Sequence, residues 1–140
     1  YDNEFQHDDH PLFCRSVYVP SFRNKMLDLF EVFDAANPNI VCGKRTDSQR
    51  PAQSLFMLNS PFVMEQAQQA ATTFLMSSAF HSHDPSRSMI NAWRICLGRD
   101  PSVAEYATAE QVLKEVSDPA VAWARLFHAL FASVDFRYVD

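Results

Sequence analysis

The chain is predicted to be all-α, a compact bundle of about five or six helices with a short extended N-terminal segment and one long loop. Two observations predict this. Asp84-Pro85, Asp100-Pro101, Asp118-Pro119 and Ser60-Pro61 each place a capping side chain before a proline. The cap oxygen accepts a bond from an orphan amide of the first turn, and proline suits the next position because its missing N–H has no partner there. Behind each of these pairs, apolar residues recur at helical rather than strand intervals.

Residues 1–14 show no period and are read as an extended arm. Arg15 to Pro20 alternates weakly through Val17, Tyr18 and Val19, which suits a short extended segment. From about Asn24, Met26, Leu29, Phe30 and Phe33 fall on one face of a first helix ending near Asp34. Ala35 to Arg50 follows as a long loop, with Asn37-Pro38-Asn39, Gly43 and the polar run Lys44 to Arg50. Loops of that length are more often functional than short ones.

A short second helix is expected from Pro51 to about Leu58, with Leu55, Phe56 and Leu58 available for burial. The third, Pro61 to about Ser77, carries Phe62, Val63, Ala67, Ala70, Phe74 and Leu75, a small-residue seam that lets a neighbour approach closely. After a linker, His81 to Asp84, the fourth spans Pro85 to Leu97 with Met89, Ile90, Trp93 and Leu97 inward and Gly98 as its stop. The fifth runs from Pro101 to Val116, with Tyr106, Ala109, Leu113 and Val116 on one side. The sixth, Pro119 to about Val134, has the strongest stripe: Trp123, Leu126, Phe127, Leu130, Phe131 and Val134. Short links make the last three helices packing neighbours.

One domain over residues 1–140 can bury a real core without staples, since 47% of the residues are apolar and twelve are phenylalanine. Only two glycines occur, so a Gly-rich phosphate loop is excluded. A net charge of −5 argues against general nucleic-acid affinity. No apolar run approaches the ~20 residues of a membrane span. The chain opens on Tyr1 in a polar, acidic stretch and is read as part of something longer. Cys14, Cys42 and Cys96 form neither a zinc nor a haem-attachment spacing. Cys96 is expected as a small buried hydrophobe, whereas Cys14 and Cys42 lie in loops and pairing between them stays open.

Catalytic motifs are absent: no G-x-S-x-G elbow surrounds a serine, and Glu105, Glu110 and Glu115 fit a solvated helix flank. His7-Asp8-Asp9-His10 and His81-Ser82-His83-Asp84 hold ligand-type residues, but a polar arm and a solvated linker account for them. No metal and no cofactor is assigned. His128, beside the stripe of the last helix, is expected to be hydrogen-bonded. The candidate binding residues are Arg15, Tyr18, Arg23, Asn24, Arg45, Gln53 and Asn59, with Arg50 beside them, where extended segment and loops join helices. Arginine forks and amides suit carboxylates, phosphates or sugar hydroxyls. The same groups also serve to satisfy loop carbonyls and helix ends.

Several segments carry a family resemblance. They are Arg15-Ser16-Val17-Tyr18-Val19-Pro20, Arg23-Asn24, Leu29 to Asp34, Asn37-Pro38, Gly43, Arg45, Pro51 to Phe56 and Asn59 to Val63. Leu97 to Pro101 with Glu105, Leu126 to Leu130, and Phe136 to Asp140 continue the set. Together they resemble the planctomycete-specific domain one family, a domain of unknown function at the C-terminus of large planctomycete and verrucomicrobial proteins. The resemblance implies an exported, periplasmic or cell-surface protein with upstream domains, often including a cytochrome c-like one. Export would favour a Cys14–Cys42 bridge. No catalytic residues carry over. The run Thr46 to Arg50 is more polar than the family's usual approach to the Pro-Ala-Gln motif.

The expected function is therefore a non-catalytic helical module that packs on an upstream domain of the same polypeptide and contributes to a binding surface, with carbohydrate or another extracellular polymer as target. The alternative is a hydrolase whose site is shared with that upstream domain, Arg15, Arg23 and Arg45 positioning the substrate. A redox module docking near a cytochrome domain would rest on domain company alone.

Overall fold

The computed structural model describes residues 28–33 and 51–138. Contacts divide the chain into two compact units, Tyr1–Gln49 and Arg50–Asp140. In the first unit the described residues form one helical turn and more, α1 (Asp28–Val32), closed by a bond from the Phe33 N–H to the Leu29 carbonyl. The second contains α2 (Pro51–Asn59), α3 (Pro61–Met76), α4 (Pro85–Leu97), α5 (Val103–Glu115), α6 (Pro119–Ala132) and α7 (Val134–Arg137). Every regular element among the described residues is a helix, so the all-α class holds. The extended segment expected at Arg15–Pro20, the long loop and both Cys14 and Cys42 lie outside the described residues.

The helix starts follow the sequence punctuation with two corrections. Asp84 accepts from the Arg87 N–H and Asp118 from the Ala120 N–H, each with proline entering the first turn. Ser60 holds the cap position of α3 ahead of Pro61, but its side chain makes no capping bond. Asp100 is no cap at all: its carboxylate forks onto Arg94, and α5 starts two residues late. Ser102 caps instead, accepting from the Glu105 N–H at 3.3 Å while the Glu105 carboxylate accepts from the Ser102 N–H at 2.7 Å. That reciprocal box satisfies two orphan amides, more than Asp100 could. At the other end of α4, Gly98 sits at φ 69°, the left-handed conformation a side chain would strain.

The core is built around α6, which packs against α2, α3, α4, α5 and α7. Ala67 of the expected small-residue seam is buried where α3 meets α6, but its buried companion one turn on is Ala71, while the expected Ala70 is only partly buried. Phe74 then closes an aromatic cluster, with ring centroids 4.8 Å from Trp123, 5.4 Å from Phe127 and 6.0 Å from Phe80. Edge and tilted rings at these separations add to the burial energy because positive ring edges meet negative faces. Met89, Ala92 and Trp93 of α4 and Ala109 of α5 complete the core.

Three burial expectations fail. Leu55 and Leu58 of α2 are 59% and 49% exposed, while Gln53 and Met57 are buried. Those two lie one turn apart on a single face, and the face that meets α6 decides which residues go in. Phe62, at the exposed start of α3, stays 43% exposed, although Val63 next to it is buried. The sixth helix stops at Ala132 rather than Val134, which is 61% exposed. Ser133 adopts an extended conformation there, its hydroxyl donating to the Leu130 carbonyl and accepting from the Phe136 N–H to start α7. Serine offers the backbone this local alternative to a continuing helix.

Cys96 is half-buried against the core and free. Burial pushes its thiol up to about 11. Ser88, fully buried, accepts from the His81 N–H at 2.8 Å, and its hydroxyl has the carbonyls of His81 and Asp84 within reach at 3.1 and 3.2 Å. Asn91 donates to the Ala79 carbonyl at 2.8 Å. Together these bonds fasten the linker before α4 to the helix that follows it.

Arg99 ties three elements together at the α4–α5 corner. Its guanidinium meets both oxygens of Glu105, at 2.9 and 2.7 Å, and also the carboxylate of Asp135 in α7. The Arg99 fork, foremost, holds the Glu105 carboxyl well below the usual carboxylate range; partial desolvation opposes it and the Ser102 N–H assists. A lowered folded-state pKa gives stability that is complete above the ordinary carboxylate range and is lost as pH falls through and below it. Thermal unfolding between about pH 6 and 3 should therefore show a fall in Tm that is shallower in Glu105→Gln. Equal slopes for the two proteins would mean that the corner does not couple to folding.

Candidate functional site

Of the seven candidate residues, Arg15, Tyr18, Arg23, Asn24 and Arg45 lie outside the described residues. The other two have structural partners. Gln53 is buried, and its Oε1 accepts from the Tyr138 hydroxyl at 3.2 Å. One residue on, Ser54 accepts from Arg137 at 2.9 Å, so the chain after α6 fastens onto α2. Asn59 donates to the Leu55 carbonyl at 2.9 Å, one turn back along α2, so its amide is spent on its own helix. His128 Nε2 carries a proton and donates it to the Met57 carbonyl at 3.0 Å, as its place beside the stripe suggested.

Among the described residues, no group of three or more metal-ligand side chains comes together. In the linker, Ser82 and His83 hydrogen-bond at 2.8 Å, but the Asp84 carboxylate is turned to the Arg87 amide. Among the described residues the base thus lacks the third group that would orient it. No described helix is long and apolar enough to cross a membrane.

The feature best suited to binding lies on the outer side of α6. Val121, Arg125 and Ala129 recur every fourth residue and stay exposed, forming a ridge about one helical turn per step. On one flank α3 and α6 enclose a hollow of about 430 Å³, lined by Met64, Ala67, Gln68, Thr72, Ala124 and His128 among others. On the other flank α4, α5 and α6 enclose one of about 360 Å³, whose lining includes Leu97, Thr108, Ala109, Val112 and Leu126. Arg125 lines both, so the two hollows adjoin along the ridge. Small residues make this possible: Ala120, Ala124 and Ala129 keep α6 low between its taller neighbours. The indole N–H of Trp93, which also lines the second hollow, is buried with no hydrogen-bond partner among the described residues.

Charge in this trough is sparse. Glu105 borders the second hollow, but Arg99 holds its carboxylate. Arg125 has no ion-pair or hydrogen-bond partner among the described residues, unlike Arg94, Arg99 and Lys114, each of which meets a carboxylate. The sequence did hold a signal for it. Arg125 is the sole Asp, Glu, Lys or Arg in the fourteen-residue α6, Pro-Ala-Val-Ala-Trp-Ala-Arg-Leu-Phe-His-Ala-Leu-Phe-Ala. A lone cation in an apolar helix marks the side that is not core.

The profile of PSD1, a protein of unknown function (DUF1553), matches residues 2–113. The chain belongs to this family. No curated protein and no solved structure matches it. The PSD1 match takes in α1 to α4 and all but the end of α5, so the α3 and α5 walls of the trough fall within it. The ridge on α6, and the segments Leu126 to Leu130 and Phe136 to Asp140 to which the resemblance extends, lie beyond it.

Proposed function

We propose that this PSD1 chain is a non-catalytic helical module whose trough over α6 docks a segment of another domain, the natural candidate being an upstream domain of the same exported polypeptide. The single observation that carries this reading is the pair of hollows flanking one low helix, open to solvent and lined mainly by alanine and aliphatic side chains. Apolar surface of that kind stays exposed in a soluble domain where a partner covers it. The lining favours a protein segment over carbohydrate, because Trp93 is the one Phe, Tyr or Trp among its described residues and is already buried in the core. Sugar faces, by contrast, stack on open aromatic rings.

The test is a selection of random peptides displayed against the full chain. Selected peptides should share an apolar helical pattern and lose binding to Ala129→Trp, which fills the trough, while Lys114→Ala on the flank of α5 leaves binding intact. Peptides indifferent to Ala129→Trp would place recognition elsewhere and end this reading.

A further inference from the structure

Resting on the docking reading, we infer that the occupant of the trough is an amphipathic helix whose apolar stripe is interrupted by one carboxylate, and that Arg125 is the residue that receives it. The geometry comes first. Val121, Arg125 and Ala129 form a ridge with a hollow on each side, which is the surface one helix offers to the groove of another. A partner helix lying along that ridge sets successive apolar side chains into the two hollows, with anchors three, four and seven residues apart. An extended strand would instead need unpaired backbone groups to bond, and the described trough wall is all helix.

Charge then selects the partner. Arg125 stands where the hollows join, so any helix that fills both must cover it. Covering a guanidinium removes water from a group that none of the described residues pairs, and an apolar or basic partner leaves that cost standing. A carboxylate at that point forms a forked, charge-assisted pair and restores what the water supplied. Glu105, the other charged residue among the described lining, does not compete for it, because Arg99 already occupies both of its oxygens. Arg125 thus acts as a specificity determinant: it admits an acidic stripe and rejects a lysine in the same place.

A synthetic leucine-striped helix of about 15 residues, long enough to hold helical structure, provides the probe. It is made with Glu, Gln or Lys at the centre of the stripe and titrated against the full chain by fluorescence anisotropy. The Glu probe should bind at least about fivefold more tightly than the Gln probe, and the Lys probe should be weakest. Arg125→Glu should reverse the order of the Glu and Lys probes. Arg125→Gln, a milder change on an exposed position, should bring all three within about twofold. Equal binding of the three probes to the unaltered chain, all abolished by Ala129→Trp, would overturn the inference while leaving the docking surface standing. Probes that ignore both Arg125→Glu and Ala129→Trp would overturn the docking reading itself.

Discussion

Phe74→Ala should destabilise the Arg50–Asp140 unit by about 3–5 kcal/mol, the cost of removing a large aromatic side chain from a packed core. Phe74 is buried, and its ring touches those of Phe80, Trp123 and Phe127, so its loss opens a cavity between α3, the following linker and α6. None of these neighbours can close the gap alone, because each ring is held by another: Phe80 against Trp123, and Phe127 against Phe131. A unit of this size has about 5–15 kcal/mol in total, so the change removes about a fifth of it or more. Urea unfolding followed by near-ultraviolet circular dichroism measures the loss directly. Phe62→Ala, on the exposed start of the same helix, is the matched control and should cost under about 1 kcal/mol. Equal midpoints for the two variants would mean that the cluster is not the centre of stability.

The second large effect is expected from adding volume where the fold leaves none. Ala71 is buried on the seam where α3 meets α6, one turn from Ala67, and both side chains end at a methyl group. Ala71→Leu must push the helices apart or force neighbouring rings off their rotamers, at about 1–3 kcal/mol. For a domain of this size each kcal/mol lowers Tm by about 4–8 °C. Thr73→Leu, two residues on and exposed, adds similar bulk to the solvent side of α3 and should leave Tm within about 4 °C. A Tm for Ala71→Leu at or above that of Thr73→Leu would show that the seam is not close-packed.

Both predictions rest on features that local sequence carries well. A Pro after Asp or Ser starts a helix for reasons contained in a few residues, and three of the four such pairs stand at helix starts. Gly98 ends α4 for an equally local reason. The fourth pair shows the limit. Asp100-Pro101 has the same local grammar, but Arg94 draws the carboxylate away and Ser102 with Glu105 makes the better cap. A competing charge six residues back is not visible in a dipeptide.

The candidate site was less legible than the fold. Gln53 and Asn59 stood out as polar residues near helix ends, yet polar residues there serve the backbone as readily as a ligand, and these two meet Tyr138 and the Leu55 carbonyl. Tyr138 is 85 residues from Gln53 in sequence, and no periodicity links them. Arg125 had a sequence signal as the lone cation of α6, but the hollows beside it need α3 and α5 in place.

The sequence by itself determined the helical class, most helix boundaries and the small-residue face of α3, because capping, φ restriction and apolar period act over a turn or two. Only the tertiary structure decided that α2 buries Gln53 and Met57 instead of its leucines, that Ser133 breaks the last stripe, and that α6 runs at the centre with an exposed ridge between two hollows. Those outcomes depend on which faces meet. A helix with apolar residues on several sides can bury any of them, and the choice is made by the neighbours that arrive, not by the helix itself.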